Sequence, residues 1–220
     1  MLLSMMDGDI VGFVFQIAIL VMSVVVHEVS HGFMAYALGD STAKYAGRLT
    51  LNPIPHIDPM GSILLPLMLA IFHSPVMIGY ARPVPINLHN IRNKTWGPIL
   101  VSAVGPFANA LVAACFSLLI RIGLFPEQMV IFFAYIILTN LTLGIFNLLP
   151  IPPLDGSKVL VSLLPWRYQQ YVYQYEQFGF FILIAFIYFF SKIIWHVSVY
   201  SFVFLTGSED LLIQVIRMLR

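Results

Sequence analysis

Residues 10–38 read IVGFVFQIAILVMSVVVHEVSHGFMAYAL, an almost unbroken apolar run. About 20 such residues carry a helix across a bilayer, so Ile10–Leu38 reads as a membrane helix. It is too long for a signal-peptide core, and no Lys or Arg precedes Lys44 to form a basic leader, so it is read as mature structure. The rest of the chain shares this character. Of 220 residues, 60% are hydrophobic and 10% charged, with a mean hydropathy of +0.90, against roughly 45–50% apolar and 25% charged in soluble domains. Ten acids and eleven bases cannot cover that surplus, which excludes a water-soluble enzyme and intrinsic disorder. The apolar surplus makes the lipid bilayer the expected surroundings, and a net charge of +1 with no basic block argues against a nucleic-acid partner. A lone cysteine, Cys115, excludes an intramolecular disulfide.

Three further segments are long and apolar enough to span: Gly97–Gly123, Met129–Leu149 and Phe178–Thr206. The last contains Lys192 and His196 and reads as one tilted helix or two short ones. A fifth stretch, Met60–Tyr80, carries Pro66, His73 and Pro75, which fits either a kinked span or a re-entrant segment. Residues 209–220 predict an amphipathic helix at the membrane interface. The predicted fold is an all-α membrane protein, a single domain over residues 1–220. It is a helix bundle of four to five membrane segments, with a small strand-like insert (44–51) between the first two. If 60–80 does not cross, the 39–96 and 150–177 connections share a side that holds Lys44, Arg48, Arg82, Arg92, Lys94, Lys158 and Arg167. The positive-inside bias makes that side cytoplasmic.

Inside the first segment, Tyr36 aside, the ionisable groups between Val11 and Gly39 are His27, Glu28 and His31, in His27-Glu-Val-Ser-His31. Residues i and i+4 share a helix face, so both imidazoles reach one metal ion while Glu28 approaches water held there. This is the zincin arrangement, two His ligands with Glu as general base. A chain of this composition contains such a pattern by chance about 0.003 times. Ionisable groups within a spanning helix are functional by default.

Two histidines make half a tetrahedral site. The metzincin continuation fails, because Met34 and Ala37 stand where Gly and His are needed. The next Glu after Glu28 is Glu127, so the third ligand is sought among Asp40, Asp58, Asp155, His56, His73, His89 and His196. Asp155 follows Asn147-Leu-Leu-Pro-Ile-Pro-Pro-Leu, where the prolines stop the fourth segment and let the chain fold back towards the bundle. As an alternative, Asp155 reads as the N-cap of a following helix.

His27-Glu-Val-Ser-His31 followed by Asn147-Leu-Leu-Pro-Ile-Pro-Pro-Leu-Asp155-Gly156 resembles the site-2 protease family of intramembrane zinc metalloproteases. Gly105-Pro-Phe-Ala-Asn109 is similar to that family's Gly-Pro-x-x-Asn segment. Residues 47–62 and 79–87 resemble its compact prokaryotic branch, which lacks a PDZ or other appended domain. The resemblance implies one zinc ion per chain held by His27, His31 and Asp155, with Glu28 as base. It also implies that Asn147, and after it Asn140, place the substrate or stabilise the oxyanion.

His27 and His31 lie late in the first segment and Asp155 just beyond the fourth, so they meet only if those two helices run in the same direction. That requires 60–80 not to cross fully, the topology that the basic residues select. Asn109 reads as a packing hydrogen bond. The expected function is peptide-bond hydrolysis within or near the membrane segment of a single-pass membrane protein, in the inner membrane, with the site towards the cytoplasmic side. The competing readings are a zinc protease that takes its third ligand from a later Glu, and a non-proteolytic zinc-binding transporter or inactive scaffold.

Overall fold

The computed structural model describes residues 10–64, 68, 81–123, 125–165, 167–169 and 178–218. Among the described residues, seven α-helices with defined ends carry the architecture: α1 (Ile10–Ala37), α2 (Thr42–Tyr45), α3 (Trp96–Ile122), α4 (Glu127–Asn147), α5 (Asp155–Leu163), α6 (Gly179–Thr206) and α7 (Glu209–Met218). Among the described residues, four helices are long and apolar enough to span a membrane, within α1, α3, α4 and α6. The chain is an all-α, multi-pass membrane protein. Valine-rich runs such as Val24–Val26 are poor helix formers in water, but in lipid every backbone N–H and C=O must be satisfied within the segment. Most of Met60–Tyr80, His73 included, lies outside the described residues, as does Glu176, which with Glu127 is a later Glu open to the competing zinc-protease reading.

α4 is the hub. Ala134, Ile137, Leu138 and Leu141 are buried against Ile19 of α1, Ala113 of α3, Phe202 of α6 and Val215 of α7. α1 packs on α3, and α5 lies across the end of α3. α6 joins from one side and leaves most of its surface outward. Arg121 near the end of α3 donates to the carbonyls of Leu205 (2.6 Å) and Phe204 (2.9 Å). A cation thereby meets carbonyls that the last turn of α6 leaves without partners.

The expected strand-like insert is not there. Among the described residues the chain contains no β-strand. Instead, residues 44–51 complete α2 and turn at Gly47, whose φ is +67°. Two short 3₁₀ turns (Ile54–His56, Leu88–Asn90) and a π-helical turn (Pro59–Leu64) follow. The cause is local. Within 44–51 the N–H groups of Tyr45, Ala46, Gly47 and Arg48 donate to the carbonyls of Ser41, Thr42, Lys44 and Ala43, so they close turns in place of a ladder. Just beyond, Pro53, Pro55 and Pro59 lack N–H donors, and polar side chains capture donors of the residues around them. Thr50 Oγ1 accepts from Asn52 N, Asn52 Oδ1 from Ile54 N, and Asp58 Oδ1 from Met60 N and Gly61 N.

Residues 81–87 also belong to no strand. Their backbone donors go to the His56 carbonyl, the Glu28 carboxylate and the Asp40 carboxylate. Asp40, fully buried, ties this segment to the end of α1. It accepts from Thr42 N (3.1 Å), Thr42 Oγ1 (2.5 Å), Asn87 N (2.7 Å) and Asn90 Nδ2 (2.8 Å). Burial opposes its charge, but the bonds from Thr42, Asn90 and Asn87 outweigh burial and hold the carboxyl below the ordinary carboxylate range.

A folded-state value below the unfolded one means that Asp40 stabilises the fold fully above about pH 4 and ceases to do so as pH falls through the depressed value. Asp40→Ala is expected to remove about 2–4 kcal/mol by stranding buried donors. Asp40→Asn should flatten the acid limb of a melting-temperature profile in detergent. An acid limb identical to that of the wild type would show that Asp40 is not the titrating support.

Candidate metal centre

The two histidines project from one face of α1 towards α3, and both are buried. α3 comes close enough because residue 105 is glycine. A Cβ there would lie 2.4 Å from His31 Nε2 and 2.8 Å from His27 Cε1, closer than atoms can approach. Asp155, the first residue of α5, arrives from the far side. Its approach rests on Gly156, where a Cβ would sit 2.1 Å from the Leu148 carbonyl oxygen at the end of α4. Asp155 Oδ2 then lies 2.9 Å from His27 Nε2 and 3.0 Å from His31 Nε2. The ends of α1 and α4 therefore open to the same side of the bundle.

The outer hydrogen bonds fix which nitrogens face inward. His31 Nδ1 donates to the Val101 carbonyl at 2.6 Å. His27 Nδ1 meets Asn109 Oδ1 at 2.6 Å. Asn109 can present only its oxygen there, because its Nδ2 donates to Ser23 O (3.2 Å) and Asn140 Oδ1 (2.7 Å). Asn140 is anchored in turn by its Nδ2, which donates to Ser23 Oγ and the Ile136 carbonyl. With both Nδ1–H groups committed, each Nε2 offers a lone pair to the centre.

Asp155 is a carboxylate in this setting. Burial pushes its value up, but the imidazoles of His27 and His31 and the Lys158 ammonium hold it well below the ordinary range. Lys158 Nζ occupies Oδ1 at 3.1 Å, which leaves Oδ2 pointing inward. Three electron-pair donors thus converge on one buried point. The two imidazole rings stand 4.7 Å apart at centre and both face the same carboxylate oxygen. A single divalent ion at that point would answer all three donors. The three ligand atoms all lie within 4.8 Å of one another, and the donor set of two imidazoles and one carboxylate suits zinc.

A cavity of about 350 Å³ opens beside this cluster. Its polar wall includes Glu28, His31, Ser102, Asp155 and Lys158, and its apolar wall includes Pro83, Val84, Ile86, Val101 and Val161. Glu28 is held by Val84 N, which donates to Oε2 at 3.0 Å.

The structure brings together His27, His31, Asp155 and Glu28. Asn140 sits two hydrogen bonds behind His27 and does not line the cavity. Asn147 turns its amide to the Leu143 carbonyl of its own helix, also off the cavity lining. The other candidate ligands stand elsewhere. Asp40 and Asp58 accept backbone donors, His56 bonds the Thr50 carbonyl, His89 lies in an exposed turn, and His196 is exposed on α6.

Two participants escape a reading of the sequence. Asn109 orients His27 as well as packing between helices, and its signal was the i, i+4 spacing from Gly105, which puts both on the face that meets α1. The Val101 carbonyl orients His31 and leaves no side-chain signal.

Outer partners of metal-bound imidazoles typically contribute 10–100-fold in affinity. Asn109→Ala is therefore expected to weaken zinc binding by about that factor in a chelator competition on the purified protein, and Gly105→Val to abolish it. Wild-type retention in both variants would show that α3 does not organise the centre.

Comparison with known proteins yields the following similarities. The model of Peptidase family M50 matches residues 122–190, a span that includes α4 and Asp155. "Putative zinc metalloprotease YwhC" of Bacillus subtilis (strain 168) is 38% identical over 175 residues, covering 76% of this chain and 76% of that protein. "Putative zinc metalloprotease Rip2" of Mycolicibacterium smegmatis is 32% identical over 175 residues, covering 79% of this chain and 66% of the relative. Its namesake from Mycobacterium tuberculosis (strain H37Rv) is 31% identical over 192 residues, covering 83% and 73%. No solved structure matches the chain.

Proposed function

This chain belongs to peptidase family M50, the site-2 protease family of intramembrane zinc metalloproteases, in its compact prokaryotic branch, and on that premise we propose that it hydrolyses peptide bonds within or near the membrane segments of single-pass proteins. The observation that carries the reading is the position of Glu28. Its carboxylate shares one cavity wall with His31 and Asp155, next in sequence to His27, within a helix long enough to span a membrane.

In this reading His27, His31 and Asp155 hold one zinc ion. When bound, zinc lowers the pKa of its water to about 7 and polarises the scissile carbonyl. Glu28 does the proton work. Val84 N–H fixes Oε2, so Oε1 takes the proton of the attacking water and returns it to the leaving nitrogen as the C–N bond breaks. Lys158 keeps Asp155 Oδ1 engaged, which aims Oδ2 at the centre.

The cavity sets the form of the substrate. A helix with its side chains is about 10–12 Å across and its carbonyls are already bonded. A space of about 350 Å³ suits a short unwound segment against the apolar wall of Val84, Ile86, Val101 and Val161. Substrate placement by Asn147 requires its amide to leave the Leu143 carbonyl that it bonds at 3.0 Å. The basic residues of the 39–96 and 150–177 connections favour a site on the cytoplasmic side of the inner membrane.

Glu28→Gln is expected to retain one zinc per chain while cleavage of a panel of single-pass substrates falls about 10²–10⁴-fold. Cleavage at the wild-type rate would remove Glu28 from the role of base. Wild-type protein that is loaded with zinc, cuts nothing and moves labelled zinc across vesicles would replace hydrolysis with transport.

A further inference from the structure

Lys192 is a cation on the outward surface of α6, at the middle of a helix that spans the membrane. It lies between Gly179 and Thr206 with about 20 Å of helix to either end. The 28-residue helix is about 42 Å long, against a hydrocarbon core of about 30 Å. Slid to either limit, it still leaves the Lys192 backbone about 9 Å inside the apolar layer. Ser191, Lys192 and Ile193 are all exposed. Among the described residues no acid pairs with Lys192, and the ion pairs found there all involve Asp155.

Lys192 is also part of a pattern. Tyr188, Lys192, His196 and Tyr200 recur every four residues. Tyr188 is 81% and Tyr200 74% exposed. His196 Nδ1 donates to the Lys192 carbonyl at 2.5 Å, so its Nε2 is an acceptor. This row of polar tips runs through a surface that is otherwise aromatic and apolar, with Phe181, Phe189 and Phe204 exposed around it. A row at i±4n is the ridge by which helices most often interlock. Polar groups on such a face act as contacts between membrane helices, and an intramembrane charge calls for a partner of opposite sign.

We propose that this ridge is the docking face for a membrane-spanning helix of another protein, one that carries an Asp or Glu at the depth of Lys192. A second copy of this chain does not fit. Symmetric pairing of α6 sets Lys192 against Lys192. Within the four spans found among the described residues, the acids are Glu28, on the cavity wall, and Glu127, at the very start of α4. No residue of α6 lines the cavity, so the docking helix is a companion of the enzyme and is distinct from the segment in the site. The inference stands whether or not the chain is a protease.

The test uses the full-length protein in phosphatidylcholine vesicles and a synthetic 23-residue Leu/Ala helix with a central Asp, Asn or Leu. The helix bears an acceptor dye, and the tryptophans of the protein serve as donors. The Asp helix should associate at least tenfold more tightly than the Leu helix. Lys192→Leu should abolish that preference, Lys192→Arg should keep it, and Lys192→Glu should transfer it to a host helix with a central Lys. Each variant is checked for wild-type helicity and zinc content. Equal binding of the Asp and Leu helices, or a preference that survives Lys192→Leu, overturns the proposal. A disulfide-linked homodimer through Lys192→Cys does so as well, by assigning the face to a second copy.

Discussion

Three electron-pair donors aimed at one buried point are unstable unless something positive sits among them. His27 Nε2, His31 Nε2 and Asp155 Oδ2 are arranged in this way, and much of the surrounding bundle serves to keep them so. Gly105 lets α3 approach the imidazoles, and Gly156 lets α5 fold against the end of α4. The Asn109–Asn140–Ser23 network and the Val101 carbonyl take the outer ring nitrogens out of play. Removing polar groups from water is costly unless each finds a partner. Here nearly every polar atom around the centre has one, which leaves the inward lone pairs as the one need unmet by protein.

The region between α1 and α3 is held by a different principle. Its described residues form no strand ladder, and carboxylates and amides collect many of their backbone donors. Asp40 joins the end of α1 to residues 87–90. Glu28, next in sequence to His27 of the candidate metal centre, accepts from Val84 N. The same side chain that would accept a proton in catalysis therefore also closes one wall of the cavity. Its geometry depends on a segment far from it in sequence.

Much of the centre was legible in the sequence because periodicity encodes it. His27 and His31 share a face by helical arithmetic, and Asp155 could be reached from the prolines that end α4. The four spanning helices followed from apolar length. What failed was the strand-like insert. Residues 44–51 read as strand-like, but the backbone hydrogens of residues 45–48 close turns onto residues 41–44 before Gly47 redirects the chain. A helix of four residues is too short to leave a period in the sequence. Asn109 was visible as a motif residue, but its role was hidden because the partner that gives it meaning lies 82 positions earlier. The 60–80 stretch lies largely outside the described residues, so its expectation stands where the sequence left it.

The ligands of the centre are separated by 128 and 124 positions. Synthesis runs from N- to C-terminus, so α1, with both imidazoles and Glu28, is made well before Asp155. The ribosome must deliver residue 155 of 220 before the trio can close. Until then the nascent chain holds two of the three donors, so the order of translation sets the earliest moment at which the centre can form.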